Sequence, residues 1–255
     1  MPLRDATVVV PFRLGSRRFP RKALCRFGPE GRTLIEHALA NATALAPARL
    51  VLTGPAADLE EVAREVDLGG FERLQTLPSA ESCRSATERV VELFSGLEGE
   101  RFISWPVDEP AIDPEEIRRA LASPGVFGGA GAVTFYCDFF APEDHRSPLS
   151  AKVVVDRDGR LLYMSRAAIP ARKDGSVAID ALKKNVGVFV FRRPFLERLA
   201  ACAGQETVLD RLEGLEQLRW LELGLDVRCV KIRHIGFGVD VPEQVAALEE
   251  RVGWR

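Results

Sequence analysis

Between residues 6 and 121 this chain alternates short β-branched runs with amphipathic stretches, and that alternation limits its fold more than any other feature. Strands are expected over 7–11, 49–53, 73–77 and 102–105, and helices over 33–45, 57–66, 85–97 and 114–121. In the first helix Leu34, Ile35, Ala38, Leu39 and Ala42 share one face. The last opens with Asp113 at an N-cap position and Pro114 at the first helical one. Strand and helix in strict alternation imply an α/β fold with a mostly parallel sheet covered on both faces. Ligands of such sheets sit at the carboxyl ends of the strands.

The remainder is richer in strands. One is expected over 130–136, a hairpin over 152–156 and 161–164 about Arg157-Asp158-Gly159, and another strand over 186–191. The polar stretch 171–181 reads as a loop. A long helix over 208–223, stopped by Gly224, precedes a strand over 227–232 and a last helix over 242–252. With no repeat and no linker, the pattern fits a single domain, 1–255, with a β-rich insertion at about 145–190.

Composition excludes several function classes. A net charge of −2 gives no global field for nucleic acid, and no run approaches the ~20 apolar residues of a membrane span. The five cysteines, Cys25, Cys83, Cys137, Cys202 and Cys229, form no C-x-x-C pair, and no signal peptide is read at the start. Reduced thiols in a cytoplasm are the expectation, with neither a disulfide framework nor a zinc site. His37, His145 and His234 stand apart and make no catalytic spacing.

The first strand runs into Pro11-Phe12-Arg13-Leu14-Gly15-Ser16-Arg17-Arg18-Phe19-Pro20-Arg21-Lys22-Ala23-Leu24. Arginine forks match phosphate oxygens in pairs, lysine adds a point charge, and glycine admits close backbone approach. Alone, the run fits either an anion cradle or a solvated basic turn. A second strand-end loop carries Asp108-Glu109-Pro110, on the same edge of the expected sheet.

Taken with four later segments, the basic loop resembles the CMP-Kdo synthetases (3-deoxy-manno-octulosonate cytidylyltransferases), sugar nucleotidyltransferases of Rossmann-like, GT-A type fold. Their loop runs Pro-x-Arg-x-x-Ser-x-Arg-x-Pro-x-Lys-x-Leu, and Pro11, Arg13, Ser16, Arg18, Pro20, Lys22 and Leu24 fill every fixed position. Ser85-Ala86-Thr87-Glu88-Arg89 is similar to the family's segment against the cytosine, and Asp108-Glu109-Pro110 to its metal-binding turn. Lys152-Val153-Val154-Val155-Asp156, Leu162-Tyr163-Met164-Ser165-Arg166-Ala167-Ala168-Ile169-Pro170, Leu215-Glu216-Gln217-Leu218-Arg219 and Val239-Asp240-Val241-Pro242-Glu243 follow in the family's order.

The resemblance implies a cytoplasmic, homodimeric enzyme of lipopolysaccharide biosynthesis, with the insertion as its interface. It would transfer CMP from CTP to a Kdo-like 2-keto sugar acid, releasing pyrophosphate, with Mg²⁺ as cofactor. Arg13, Lys22 and Asp108 would be catalytic; Arg13, Ser16, Arg18, Lys22, Ser85, Ala86 and Thr87 would bind the nucleotide. Arg17 and Arg21, at variable positions, are expected to face solvent. Asp108 and Asp240 would hold the metal, hard oxygen ligands suiting Mg²⁺, although each also fits as a cap for the helix after it. Arg166 would grip the sugar carboxylate or else be structural; Asn185 would read the sugar, as would Glu216 and Gln217 unless they lie on an exposed helix face.

The pattern breaks where the sugar is read. Pro106-Val107 replaces Gln-Gly, Ala86 replaces Gly, Asn185 replaces His, and Phe189 and Phe191 replace tyrosines. Lost hydroxyl contacts change acceptor choice by orders of magnitude. Besides Kdo transfer, a different acid-sugar or phosphonate acceptor, or a weakly active or inactive nucleotide-binding relative, fits the same residues.

Overall fold

Val8, Val9 and Val10 have no solvent exposure, and the strand they form is covered on both of its faces. A computed structural model describes residues 3–139, 145–205, 207–234 and 237–253. In chain order its elements are β1 (Ala6–Pro11), β2 (Arg26–Phe27), β3 (Arg32–Thr33), α1 (Leu34–Ala44), β4 (Arg49–Gly54), α2 (Ala56–Glu65), β5 (Leu74–Pro78), α3 (Ala86–Leu93), β6 (Arg101–Ser104) and α4 (Pro114–Leu121). There follow β7 (Ala132–Asp138), β8 (Lys152–Val155), β9 (Leu161–Ser165), β10 (Lys183–Arg192), α5 (Arg193–Ala201), α6 (Val208–Glu213), α7 (Glu216–Glu222), β11 (Val227–Lys231) and α8 (Glu243–Arg251).

The chain forms two compact units, Met1–Arg118 with Gly236–Arg255, and Arg119–Ile235. The segment expected as an insertion lies within the second.

In the first unit, β6, β1, β4 and β5 lie side by side, and every pairing is parallel. Pro11 is level with Thr53, and Gly54 with Pro78, so the carboxyl ends share one edge. The path runs from β1 through α1 to β4 and through α2 to β5, then crosses back through α3 to β6 on the far side of β1. Right-handed crossovers in opposite directions place α3 on the sheet face opposite α1 and α2. The order reverses at β1, so the crevice between the loops after β1 and β6 is the switch point, where such sheets bind ligands.

Local chemistry accounts for the boundaries. Thr33 and Glu36 form a reciprocal capping box that starts α1. The Asp113 carboxylate accepts from the Glu115 N–H at the start of α4, as its sequence position predicts. Gly54 is required by space: a Cβ there would stand 2.8 Å from the Phe12 ring.

The second unit pairs β11 with β7 in parallel, and β7 with β10, β10 with β8 and β8 with β9 antiparallel. The hairpin expected about Gly159 is present. One helical expectation is corrected and one helix is added. The helix over 208–223 is two helices, α6 and α7, broken at Gly214, whose φ of 60° ends α6 in a left-handed cap. Helix α5 follows β10 directly, where no helix was expected, although Pro194 in its first turn is a start signal. Phe189, Phe191, Phe195 and Trp220 pack as stacked and edge-to-face rings at the centre of this unit. The five cysteines form no disulfide with one another. Among the described residues, no helix is long and apolar enough to cross a membrane.

Candidate active site

The loop after β1 is built around Leu14. Phe12 N–H donates to Thr53 O at 2.8 Å, continuing the β1–β4 pairing beyond Pro11. Leu14 N–H then donates to the Asp58 carboxylate at 2.7 Å, from the first turn of α2, where a helix favours negative charge. Arg21 N–H returns to Leu14 O at 2.9 Å and closes the loop on itself. Arg21 has φ 57° and pairs with Glu61 and Glu65 of α2. It faces solvent, as expected from the sequence, and its ion pairs also anchor the loop.

With that frame fixed, the basic side chains divide. Arg13 and Arg17 are exposed and make no ion pair among the described residues. Ser16 is half-buried, its N–H on Leu14 O. Arg18 Nη2 lies 2.9 Å from Asp240 Oδ1. Lys22, in the short 3₁₀ turn that ends the loop, sets its Nζ 2.7 Å from Asp108 Oδ2 and 3.7 Å from Asp240 Oδ1.

Asp108 and Asp240 are thus brought together from distant parts of the chain. Val239 N–H donates to Asp108 O at 2.7 Å, joining the two loops through their backbones. Gln244 Oε1 accepts from the Asp240 and Val241 N–H groups at 2.6 and 3.0 Å. Asn41 of α1 reaches the carbonyls of Pro110 and Ile112 and fixes the chain beyond Asp108. Neither aspartate is a helix cap: Asp113 serves α4, and α8 begins at Pro242 without a side-chain cap. The capping alternative falls away for both.

The third loop on this edge leads to α3. Ser85 Oγ accepts from Glu88 N–H at 3.1 Å as N-cap, Ala86 is the first helical residue, and Thr87 is buried. Arg89 is buried too, donating to Ser79 Oγ and to the carbonyls of Ala80 and Cys83. It shapes the turn before the helix. First-turn N–H groups lack acceptors within their own helix, so this terminus offers donors along the same sheet edge. Nearby, burial and Glu92 push the Cys83 thiol up to about 11, which keeps it protonated and removes it as a nucleophile.

In the second unit, Arg166 follows β9. Its Nε donates to Glu213 O at 2.7 Å, Nη1 to Pro148 O at 2.8 Å and Nη2 to Gly214 O at 3.1 Å. Three of its five N–H donors are thereby committed to backbone. The same bonds tie it to the α6–α7 link, directly before Glu216 and the buried Gln217. Asn185 Oδ1 accepts from Thr134 Oγ1 at 3.3 Å across β10 and β7. Phe189 and Phe191 belong to the aromatic core and are 5% and 0% exposed, so packing accounts for the absence of hydroxyls there.

Sequence reading missed Asp58, Asn41, Gln244, Lys152 and Glu213. Asp58, Asn41 and Glu213 bond to backbone far away in sequence, a relation that spacing along the chain does not encode. Two signals were usable: Gln244, three and four residues after the N–H groups it accepts from, and Lys152, a charge opening the apolar run Val153-Val154-Val155.

Basic side chains at the switch point of a parallel sheet, set against two converging carboxylates, are the arrangement of a nucleotidyltransferase, and the chain is an enzyme of that class. Over residues 7–231 the sequence matches the family described as cytidylyltransferase, and it belongs to that family. The 3-deoxy-manno-octulosonate cytidylyltransferase of Chlorobium luteolum (strain DSM 273 / BCRC 81028 / 2530) is 36% identical over 248 residues, covering 94% of each chain. That of Desulfatibacillum aliphaticivorans is 33% identical over 245 residues, covering 95% of this chain and 96% of its own. A solved structure of CMP:2-keto-3-deoxy-manno-octonic acid synthetase complexed with CTP superposes with a TM-score of 0.80 at 25% identity, over 97% of this chain and 98% of that one. The resemblance drawn from the motifs is borne out.

Proposed function

We propose that this enzyme transfers CMP from CTP to a 2-keto sugar acid of the 3-deoxy-manno-octulosonate type. A hydroxyl of the sugar attacks the α-phosphorus, a new phosphorus–oxygen bond forms, and the bond to the β-phosphate oxygen breaks to release pyrophosphate. The observation that carries the reading is Lys22 held between Asp108 and Asp240 under a loop whose Arg13 is unpaired among the described residues.

Phosphoryl transfer of this kind is mainly positioning and charge neutralisation. Arg13, Arg18 and Lys22 would hold the triphosphate and neutralise the departing pyrophosphate. Ser16 and the α3 terminus at Ser85, Ala86 and Thr87 would orient the nucleotide. The donor chemistry of Asp108 and Asp240 fits Mg²⁺, which takes one or two carboxylates together with substrate phosphates. Bound there, Mg²⁺ supplies Lewis-acid neutralisation of phosphate charge. Arg166, with two N–H donors uncommitted among the described residues, would hold the sugar carboxylate, and Asn185, Glu216 and Gln217 would flank it.

The core positions of Phe189 and Phe191 narrow the acceptor question to Pro106, Val107 and Asn185. Pyrophosphate release from CTP and Mg²⁺ across a panel of 2-keto sugar acids tests the reading. Release with 3-deoxy-manno-octulosonate supports it, and release with another acid alone reassigns the acceptor. CTP binding without release from any of them sinks the transferase reading.

A further inference from the structure

Lys152, the first residue of β8, has no solvent exposure, and the chemistry proposed above makes no use of it. Its Nζ donates to Ser147 O and Ser150 O at 2.7 Å each and to Arg166 O at 2.8 Å. An ammonium has three N–H donors, so each one is matched to a carbonyl. Two of those carbonyls belong to the turn before β8, and the third to the residue after β9.

Arg166 closes the same turn from the other side, through Nη1 to Pro148 O. Glu213 completes the cluster: one carboxylate oxygen accepts from Arg166 N–H at 2.9 Å and the other from Ser165 Oγ at 2.6 Å. Two cations and one carboxylate therefore lash the 147–150 turn, the end of β9 and the α6–α7 link together. Ser165 and Lys184 are the register partners of Lys152 on β9 and β10.

Burying a lysine is costly, and an apolar side chain of similar length would fill the space without that cost. Burial and the neighbouring Arg166 push the Lys152 ammonium down to about 8, with Glu213 opposing. What an apolar side chain would lose is the hold on the Arg166 backbone.

We propose that Lys152 is a positioning residue for the acceptor, acting through Arg166. By fixing the Arg166 main chain it keeps the two uncommitted guanidinium N–H donors in one place, ready for a carboxylate. The inference rests on the reading of Arg166 as the residue that holds the acid.

A double-mutant cycle tests it. Steady-state kinetics with 3-deoxy-manno-octulosonate and CTP are measured for Lys152→Met, Arg166→Ala and the double variant, with thermal unfolding followed in parallel. Lys152→Met should raise acceptor KM tenfold or more and leave CTP KM within twofold. In the Arg166→Ala background the same substitution should add less than twofold, because contacting residues that act as a unit are not additive. A purely structural lysine would give additive losses and lower both affinities together. If Arg166→Ala leaves acceptor KM unchanged, the reading of Arg166 fails. If Arg166→Ala raises it and folded Lys152→Met does not, the positioning role fails. Lys152→Gln, which keeps two N–H donors, replaces Lys152→Met if that variant does not fold, and loss of fold in both assigns Lys152 to stability alone and overturns the proposal.

Discussion

The Lys22 ammonium lies 2.7 Å from one carboxylate oxygen of Asp108 and 3.7 Å from one of Asp240, so a single cation is shared by two acidic groups from separate loops. Arg18 adds a second contact to Asp240. The groups proposed for phosphate and the groups proposed for metal thus pair with one another. A triphosphate with its divalent cation would exchange these partners: Lys22 and Arg18 would turn to phosphate oxygens as the carboxylates turn to the metal.

Removing Lys22 should therefore improve metal binding to the free enzyme while it harms nucleotide binding. An ion pair as open as Lys22–Asp108 is worth about 1 kcal/mol, so Lys22→Met should tighten Mn²⁺ by about fivefold without nucleotide. Electron paramagnetic resonance counts free Mn²⁺ directly. Affinity that is unchanged or weaker in the variant would contradict the exchange.

Three aspartates near helix starts should separate by role. Asp113→Ala removes a cap and should cost about 1 kcal/mol in urea unfolding, with turnover within threefold. Asp108→Asn and Asp240→Asn cap nothing and each loses only its ion pairs, so each should unfold within about 1 kcal/mol of the parent. Their turnover should fall by about a hundredfold or more, since each would remove a proposed ligand of the metal that neutralises phosphate charge. An Asp108→Asn enzyme with near-normal turnover would end its assignment.

These contrasts mark what the sequence made legible. Valine runs announced β1, Thr33 and Glu36 announced the start of α1, and the spacing of Arg13, Arg18 and Lys22 announced the basic loop. The break at Gly214 did not show, because Leu209 and Leu212 before it and Leu215 and Leu218 after it keep a helical apolar spacing across it. The supports of the site were equally hidden. Asp58 and Asn41 act on backbone groups far away in sequence, and only the folded sheet edge brings them there.

Arg18 and Arg21 are close in sequence and should behave differently. Arg18 is half-exposed and bound to Asp240, whereas Arg21 is bound to Glu61 and Glu65 of α2. Arg18→Ala should raise CTP KM by about tenfold, the loss of one charge-assisted contact. Arg21→Gly removes exposed ion pairs and also relieves the left-handed backbone at φ 57°, so its stability should change by less than about 1 kcal/mol. CTP KM should stay within threefold. A tenfold rise in Arg21→Gly would put Arg21 on the nucleotide.

Lys152 should leave a signature in the pH dependence of stability. Its ammonium, facing Arg166 and Glu213 with Lys184 opposite on β10, is pushed down to about 8 by burial and by Arg166, below the ordinary lysine value of 10.5. Below pH 8 the lysine is protonated in both folded and unfolded chains and contributes no slope. Between about pH 8 and 10.5 the unfolded chain binds more protons, so this group makes stability rise with pH through that window. The full span corresponds to an upper bound of about 3 kcal/mol. Urea unfolding of the parent and of Lys152→Met from pH 7 to 10 isolates the effect, because other titrations cancel in the difference. The parent should gain on the variant as pH rises above 8, and a difference that is flat or falls with pH would show that the carbonyl cradle holds the ammonium charged.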